Sequence, residues 1–245
     1  MNIREQFLQE VKDNIEGLKN DKDVQALSRI WLREITRHKY AYNFSWMGRP
    51  IIQFPQDMIG LQEIIWQTRP DLIIETGVAH GGSIIYYASL IELLGNGGKV
   101  LGIDIDIRPH NRTEIEQHPM YKNIELIEGS SIDNSTFEKV IALAEGKKKI
   151  LVVLDSNHTH EHVLQELNLY SQLVTKDSYL IVFDTLIEDI PDDLINDRPW
   201  GKGNNPKTAV FEFLQKNDRF KIDKDIEAKL LITVAPDGFL KCIKD

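Results

Sequence analysis

The stretch "DLIIETGVAHGGSIIYYASLIELLG", Asp71 to Gly95, decides the fold. It opens with a short apolar, β-branched run after Pro70, which predicts a buried strand. A glycine-containing turn follows, and then an apolar segment of helical length that is closed by Gly95. A strand, a glycine loop and a helix in this order predict the first unit of a parallel α/β sheet.

The same alternation continues along the chain. Four further apolar runs, each followed by a helix or a loop, predict strands: "GKVLGIDID", "NIELIEGSS", "KKILVVLDS" and "SYLIVFDT". Buried strands that alternate with helices predict a mostly parallel, Rossmann-like α/β sheet with helices on both faces. After the long loop Glu188 to Pro206, the dipeptide Asn205-Pro206 predicts a helix start. The tail segments "FKIDKDI", "LLITVAP" and "GFLKCI" predict strands of an antiparallel C-terminal edge.

The N-terminal part lies outside this alternation. Apolar residues recur there at helical spacing: Ile3, Phe7, Val11, Ile15 and Leu18. A second helical pattern covers residues 24–37, while Gly48, Pro50 and Pro55 predict a loop over residues 46–58. We therefore expect a helical N-terminal extension, residues 1–45, and a single α/β domain, residues 46–245.

Composition excludes several classes of partner. The net charge of −9, with no basic cluster beyond Lys147 to Lys149, argues against nucleic acid or an anionic membrane as the main partner. The longest apolar runs are too short for membrane insertion. Cys242 is the single cysteine, and the charged N-terminus lacks the apolar core of a signal peptide, so we expect a cytoplasmic protein.

The strand ends supply the candidate ligand site, because ligands of open α/β sheets bind at the carboxyl ends of the strands. The loop after the first strand carries Gly77, Gly81 and Gly82, which allow tight turns and close approach to a ligand. Its spacing departs from the dinucleotide pattern GxGxxG, which disfavours an NAD enzyme. Glu75 precedes the loop and would pair with a cationic ligand group. Thr76 and Ser83 flank the loop and are counted with the same site.

The next two strand ends complete a nucleoside site. Asp104 ends the second strand of the alternation, where a carboxylate commonly accepts ribose hydroxyls. Ser130 and Ser131 follow the third and would meet an adenine edge. Glu75 lies beside the glycine loop, where dinucleotide-binding proteins hold phosphates. An acidic residue at this place suits a nucleoside ligand without phosphates. S-adenosylmethionine (SAM), with its cationic amino and sulfonium groups, is such a ligand.

The acceptor side is predicted from loops. The loop Glu188 to Pro206 is long enough to be a functional lid. Arg198 and Trp200 within it would contact a sugar ring, and Trp46 and Met47 would close the other side of the pocket. Ordinary packing of these residues is an equally open interpretation.

Six segments resemble the cephalosporin hydroxylase / rhamnosyl O-methyltransferase family. They are, in chain order, "SWMGRPIIQFPQDM", "RPDLIIETGVAHGGS", "GIDIDIRPHNR", "VVLDSNHTHEHVLQEL", "RPWGKGNNPKTAVFEFL" and "LLITVAPDGFLK". The likeness extends from about Ala41 to the C-terminus. It implies a class I SAM-dependent methyltransferase fold, a homo-oligomer, and an O-methyltransferase that acts on a sugar or a glycosylated small molecule. Mg²⁺ is implied as a second cofactor, since related macrolide-sugar enzymes use it.

The resemblance also implies roles for single residues. Asp155 matches a metal ligand and His158 matches the general base. Asp184 matches a second metal ligand, but Phe183 stands where metal-using relatives have an acid. His160 and His162 follow His158 at steps of two, so we expect His160 to point away and no three-histidine zinc site. We expect His162 in a solvated first helical turn.

Two other functions remain open at this stage. The first is that of a degenerate SAM-binding accessory or scaffold protein without transfer activity. The second is that of a metal-dependent hydrolase that uses Asp155, Asp184 and the histidines. In the hydrolase Glu75 and the glycine loop have no role.

Overall fold

A computed structural model describes residues 2–194 and 198–245. The strands are β1 (Phe44–Trp46), β2 (Arg49–Ile51), β3 (Leu72–Thr76), β4 (Lys99–Asp104), β5 (Ile124–Glu128), β6 (Ile150–Leu154), β7 (Tyr179–Val182), β8 (Phe220–Ile222) and β9 (Phe239–Cys242). The helices are α1 (Ile3–Asn20), α2 (Lys22–Thr36), α3 (Pro55–Thr68), α4 (Gly82–Leu94), α5 (Pro109–Glu116), α6 (Asn134–Ala144), α7 (His160–Tyr170), α8 (Pro206–Lys216) and α9 (Lys224–Leu230).

The main sheet has seven strands in the order β5-β4-β3-β6-β7-β9-β8. The five strands from β5 to β7 run parallel, and β9 and β8 form an antiparallel edge. The predicted Rossmann-like fold is confirmed. β3 pairs with β4 on one side and with β6 on the other, so the strand order reverses beside β3. The crevice at such a reversal is where open α/β sheets bind ligands.

Alternate strand residues build a core on each face of the sheet. Ile73 and Phe183 belong to the core that also includes α3 and α4 residues, whereas Ile74 and Leu180 belong to the core on the α7 and α8 side. This division follows from the two-residue period of strands. Helices cover both faces, and the central strands β6 and β7 accordingly consist of apolar, buried residues.

The predicted loop over residues 46–58 is wrong at both ends, since α3 begins at Pro55 and the first part is a hairpin. Strands β1 and β2 form an antiparallel hairpin in which Phe44 faces Ile51. Met47 and Gly48 connect them with φ of 47° and 89°. Two positive φ values in a two-residue connection match the mirror-image turns that favour hairpins. The glycine that suggested a loop is thus the turn of a hairpin.

The predicted strands of the tail are only partly correct. β8 ends at Ile222, and α9 occupies the end of "FKIDKDI" and the start of "LLITVAP". Asp223 caps the N-terminus of α9, because its side chain accepts hydrogen bonds from the backbone N–H groups of Asp225 and Ile226. The remainder of "LLITVAP" is an irregular buried segment. Its Thr233 hydroxyl and Val234 N–H donate to the buried carboxylate of Asp57.

The N-terminal extension is joined to the rest of the chain at several points. α1 packs against α9, and Lys19 forms an ion pair of 2.8 Å with Asp225. The proposed boundary between residues 45 and 46 falls inside β1, and the division into two units stays a prediction. Among the described residues, no helix combines the length and the apolar character needed to span a bilayer.

Candidate active site

A cavity of about 510 Å³ opens at the carboxyl ends of β3, β6 and β7. The loop after β7, with Arg198 and Trp200, and Val234 form part of its wall. The glycine loop after β3 contributes Gly82 and Ser83, and the strand ends contribute Asp155 and Asp184. Residues that precede the first β–α unit, from Thr36 to Phe54, complete the wall. The cavity thus lies where the strand order predicts a ligand site.

Asp155, His158 and Asp184 come together at the floor of this cavity. One ligating atom from each lies within 4.8 Å of the other two. His158 Nε2 is 3.0 Å from Asp184 Oδ2. Asp184 has a left-handed backbone, φ 54° and ψ 19°, which is unusual for a residue with a Cβ and typical of functional positions. The structure therefore unites the three residues that the resemblance selected.

The electrostatics of this group favour a cation. Burial raises the pKa of the Asp155 carboxyl well above its ordinary value. Three acidic neighbours, Asp184, Glu75 and Glu166, raise it further. A bound divalent cation would offset this concentration of negative charge. Two carboxylates and an imidazole are a donor set that such an ion accepts.

Phe183 takes no part in the group. Its side chain is 1% exposed and packs in the core under the sheet. Its backbone N–H donates to the carbonyl of Leu154 at 3.0 Å, which continues the pairing of β6 and β7 by one step. Position 183, for which the resemblance implies an acid in metal-using relatives, is therefore a core position in this chain.

The glycines of the loop are needed for contacts within the protein. A Cβ on Gly77 would lie 2.0 Å from the carbonyl oxygen of Asp155, and Gly77 has φ of 91°. A Cβ on Gly82 would lie 2.1 Å from the carbonyl oxygen of Pro50. Gly81 has φ of 82°, and a Cβ there would meet Ile115. These three glycines thus let the loop approach β6, the hairpin and α5 closely.

Asp104 fixes the same loop from the neighbouring strand. Its Oδ2 accepts hydrogen bonds from the N–H groups of Val78 and Ala79, at 2.8 and 3.1 Å. Asp104 does not line the cavity, and neither do Ser130 and Ser131. The residues predicted for ribose and adenine therefore lie at adjacent strand ends, outside the wall of the cavity. Their roles in binding stay predictions.

Glu75 lies behind the cavity wall. It is fully buried, and its Oε2 accepts a hydrogen bond of 2.7 Å from the hydroxyl of Ser83, which does line the cavity. Burial raises the pKa of Glu75 to about 8. Thr76 is also buried, and its Oγ1 has no hydrogen-bond partner among the described residues.

The three histidines of "NHTHEH" separate as expected, with one correction. His160 points away from the cavity toward α8, where it contacts Thr208 Oγ1 at 2.7 Å and Glu212 Oε2 at 3.1 Å. The solvated position expected for His162 is wrong. Its Nε2 lies 3.1 Å from Ser131 Oγ and 3.2 Å from Ser156 Oγ, because α7 turns this residue back toward the sheet.

The residues predicted for the acceptor divide into two pairs. The Trp200 ring meets the His158 ring edge to face at 4.8 Å, and the Arg198 guanidinium lies 5.3 Å from the Trp200 ring centre. Both line the cavity. Trp46 and Met47 do not: the Trp46 indole donates to Ser89 Oγ at 3.1 Å, and Met47 is exposed in the hairpin turn. The remaining lid residues 195–197 lie outside the described residues.

Sequence reasoning missed the residues that connect the hairpin to the glycine loop. Arg49 donates from Nε and a terminal nitrogen to the carbonyl of His80, at 3.0 and 2.6 Å, and also to Asn111 Oδ1 at 3.0 Å. It pairs with Glu114 as well. Gln53, on the cavity wall, was also missed. The available signal was the polar residue between two apolar ones in "IIQF", which a loop interpretation leaves unexplained.

Comparison of the sequence with protein families gives a match over most of the chain. The sequence profile of the Rhamnosyl O-methyltransferase/CmcI family matches residues 38–243. A Rhamnosyl O-methyltransferase from Mycobacterium bovis BCG is 34% identical over 217 residues, which cover 83% of this chain and 82% of the relative. The Rhamnosyl O-methyltransferase of Mycobacterium leprae is 31% identical over 210 residues, covering 83% of this chain and 87% of the relative.

Solved structures share the fold. The CmcI-N160 apo-structure superposes with a TM-score of 0.61 at 23% identity, and the cmcI-D160 Mg-SAM structure with 0.59 at 21%. Each comparison covers 83% of this chain and 78% of the other. An O-methyltransferase from Bacillus cereus in complex with SAH aligns with a TM-score of 0.52 at 13% identity, over 79% of this chain and 81% of the other. The chain belongs to the Rhamnosyl O-methyltransferase/CmcI family and is a SAM-dependent O-methyltransferase of the class I fold.

Proposed function

We propose that the enzyme methylates a hydroxyl group of a sugar or of a glycosylated small molecule, with His158 as the general base. The observation that carries the proposal is the group formed by Asp155, His158 and Asp184 on a cavity that also holds an aromatic and a cationic side chain. The relatives named Rhamnosyl O-methyltransferase support a sugar as the acceptor.

His158 is assigned the removal of the proton from the acceptor hydroxyl. A hydroxyl is a weak nucleophile at neutral pH, so a base within hydrogen-bond reach accelerates its reaction. The imidazole Nε2 is held 3.0 Å from Asp184, and the Trp200 ring packs against its edge. These two contacts fix the direction of the ring. An imidazole that has taken the proton is stabilised by the adjacent carboxylate.

Asp155 and Asp184 are the residues that would hold Mg²⁺. Carboxylate oxygens are the protein ligands that Mg²⁺ prefers, and the ion usually keeps several waters. When bound, Mg²⁺ supplies positive charge that lowers the pKa of the reacting hydroxyl, while SAM supplies the methyl group on a sulfonium. The absence of an acid at position 183 leaves this chain with two carboxylates for the ion.

Arg198 and Trp200 are suited to hold the acceptor. An aromatic face next to a guanidinium offers a surface for a sugar ring and a donor for its hydroxyls. Since the Trp200 ring touches His158, an acceptor resting on it lies beside the base. Such positioning accounts for much of the rate gain in bimolecular transfers. A homo-oligomeric state remains a prediction.

A panel of rhamnosides and related glycosides, incubated with methyl-labelled SAM, tests the proposal. Transfer of label to a hydroxyl of one class, lost in the Asp155→Asn variant and reduced by EDTA, is the expected result. SAM binding without transfer to any glycoside would point to the accessory protein. Turnover of phosphate or carboxylic esters in the absence of SAM would point to the hydrolase.

A further inference from the structure

Glu166 is a fully buried carboxylate to which the proposed chemistry assigns no part. It lies in the middle of α7 and does not line the cavity. Its Oε1 accepts a hydrogen bond of 2.7 Å from the hydroxyl of Ser156, while its Oε2 has no hydrogen-bond partner among the described residues. Burying a carboxyl group costs free energy unless hydrogen bonds compensate for it. The contact with Ser156 is therefore the first indication of what Glu166 does.

Ser156 stands between two residues of the candidate active site. It follows Asp155 directly, precedes His158 by two positions, and lines the cavity itself. Its hydroxyl donates to Glu166 and lies 3.2 Å from His162 Nε2. Both contacts come from one face of α7, since residues four apart on a helix are neighbours. This face of α7 thus holds the serine from behind the cavity wall.

The backbone on either side of Ser156 is fixed by other contacts. The Asp155 N–H donates to the last carbonyl of β3 at 2.9 Å. Gly77 packs so closely there that an added Cβ would lie 3.1 Å from Ser156 Cα. On the other side, Asn157 Oδ1 accepts from the N–H and the hydroxyl of Thr159, both at 2.9 Å. The turn is thus fixed toward β6 by packing, toward α7 by local hydrogen bonds, and between them by the bond from Ser156 to the buried carboxylate.

This turn presents the groups suited to chemistry. Resting on the proposed function, we propose that Glu166 is a positioning residue for methyl transfer: through Ser156 it holds the turn that carries Asp155 and His158. Glu166 acts as a hydrogen-bond acceptor and touches neither the acceptor nor the cofactor. A displacement of reacting groups by about 1 Å can lower a rate about 10²-fold, so a contact behind the cavity wall is sufficient to affect turnover.

Substitutions of Glu166 test the assignment. Glu166→Met keeps the length of the side chain and removes the acceptor, so kcat on the best glycoside of the panel should fall about 10- to 100-fold. The Kd for S-adenosylhomocysteine, measured by calorimetry, should stay at the wild-type value. Glu166→Gln keeps an oxygen that accepts from Ser156 and should restore most of the kcat lost in Glu166→Met.

Ser156→Ala removes the other partner of the same hydrogen bond. It should lower kcat as Glu166→Met does, and the double variant should lose no more than either single variant, since all three lack one contact. Thr175→Val is the matched control. The Thr175 hydroxyl accepts from the N–H of Ile150 at 3.1 Å, at the opposite end of β6. This variant should lower thermal stability and leave kcat unchanged.

The His158 ring supplies a readout that does not depend on any acceptor. It meets the Trp200 ring edge to face at 4.8 Å, so the indole ring current shifts the NMR resonances of its carbon-bound protons. These resonances are identified by their loss in His158→Ala. Glu166→Met should move them, Glu166→Gln should return them toward their wild-type positions, and Thr175→Val should leave them in place.

Three results would overturn the assignment. They are wild-type kcat in both Glu166→Met and Ser156→Ala, an equal loss of kcat in the methionine and glutamine variants, and a double variant whose loss is the product of the two single losses. If Glu166→Met does not fold, Ser156→Ala decides by the same kinetics and spectra. If the wild-type protein methylates no glycoside, the proposed function fails, and unchanged His158 resonances in Glu166→Met would separately refute the positioning role.

Discussion

Two regions of the molecule meet at the cavity, and they differ in how their residues reach it. The ends of β6 and β7 deliver Asp155, His158 and Asp184 directly, because parallel strands finish at one edge. The segment 49–57 arrives from outside the β–α alternation and is attached by the contacts of Arg49, Pro50 and Asp57. The first region contains the groups suited to chemistry, while the second shapes and closes the cavity. A substitution in one region should therefore affect turnover, and a substitution in the other should affect binding or folding.

The largest effect is expected for His158→Ala, which tests the chemical region. Loss of the base should lower kcat about 10²- to 10⁴-fold while affinity for SAM is retained. The measurement is steady-state kinetics on the best glycoside of the panel together with calorimetry. His160→Ala is the control, because that ring faces α8 and away from the cavity. An equal loss of kcat in His158→Ala and His160→Ala would contradict the assignment of His158 as the general base.

Glu75→Gln should change the pH dependence of stability. Since the pKa of Glu75 is raised to about 8 in the folded protein, the native state keeps a proton that the unfolded chain releases above about pH 4. The contribution of Glu75 to the free energy of unfolding therefore falls as the pH rises from about 4 to 8. Above about pH 8 the contribution is constant. Relative to wild type, the variant should gain about 2–4 kcal/mol in unfolding free energy between pH 5 and pH 8.5. Urea titrations at the two pH values measure the difference, and a difference that does not depend on pH would contradict it.

Gly82→Ala should break the junction between the segment 49–57 and the glycine loop. The added methyl group would meet the Pro50 carbonyl, so the hairpin or α4 must shift. We expect a loss of about 1–3 kcal/mol in unfolding free energy, with weaker binding of SAM. Gly17→Ala, in α1 with open space around it, should be stabilising by about 0.5–1 kcal/mol. A Gly82→Ala protein as stable as wild type would show that the hairpin and the start of α4 are not tightly joined.

The smallest effect is expected for Thr233→Val in the buried segment after α9. The substitution removes the hydroxyl that donates to Asp57, whose pKa burial raises to about 7. The cost should be about 1 kcal/mol at pH 8.5, where Asp57 is ionised, and smaller at pH 5. Denaturant titrations at both pH values measure it. A larger cost at the lower pH would contradict the assigned role of the carboxylate.

The predictability of the two regions also differs. The ends of β6 and β7 are readable because the apolar runs Ile150–Leu154 and Tyr179–Val182 define these strands, and the next polar residues, Asp155 and Asp184, follow within two positions. Arg49 could not be identified in this way, since its side chain is held by the carbonyl of His80, about thirty residues later. The same limit applies to α9, which a local capping residue begins but which packs against α1 at the other end of the chain.

The hairpin has a consequence for exchanging parts between relatives. Most of the cavity wall derives from two parts of the sequence, residues 36–54 and the loops that follow β3, β6 and β7. Grafting only the loop that carries Arg198 and Trp200 from a relative with another acceptor would leave the opposite wall of the recipient in place. A hybrid enzyme with a new acceptor preference should therefore receive both parts from the same relative. The residues that contact Arg49 and Pro50 should be exchanged with them.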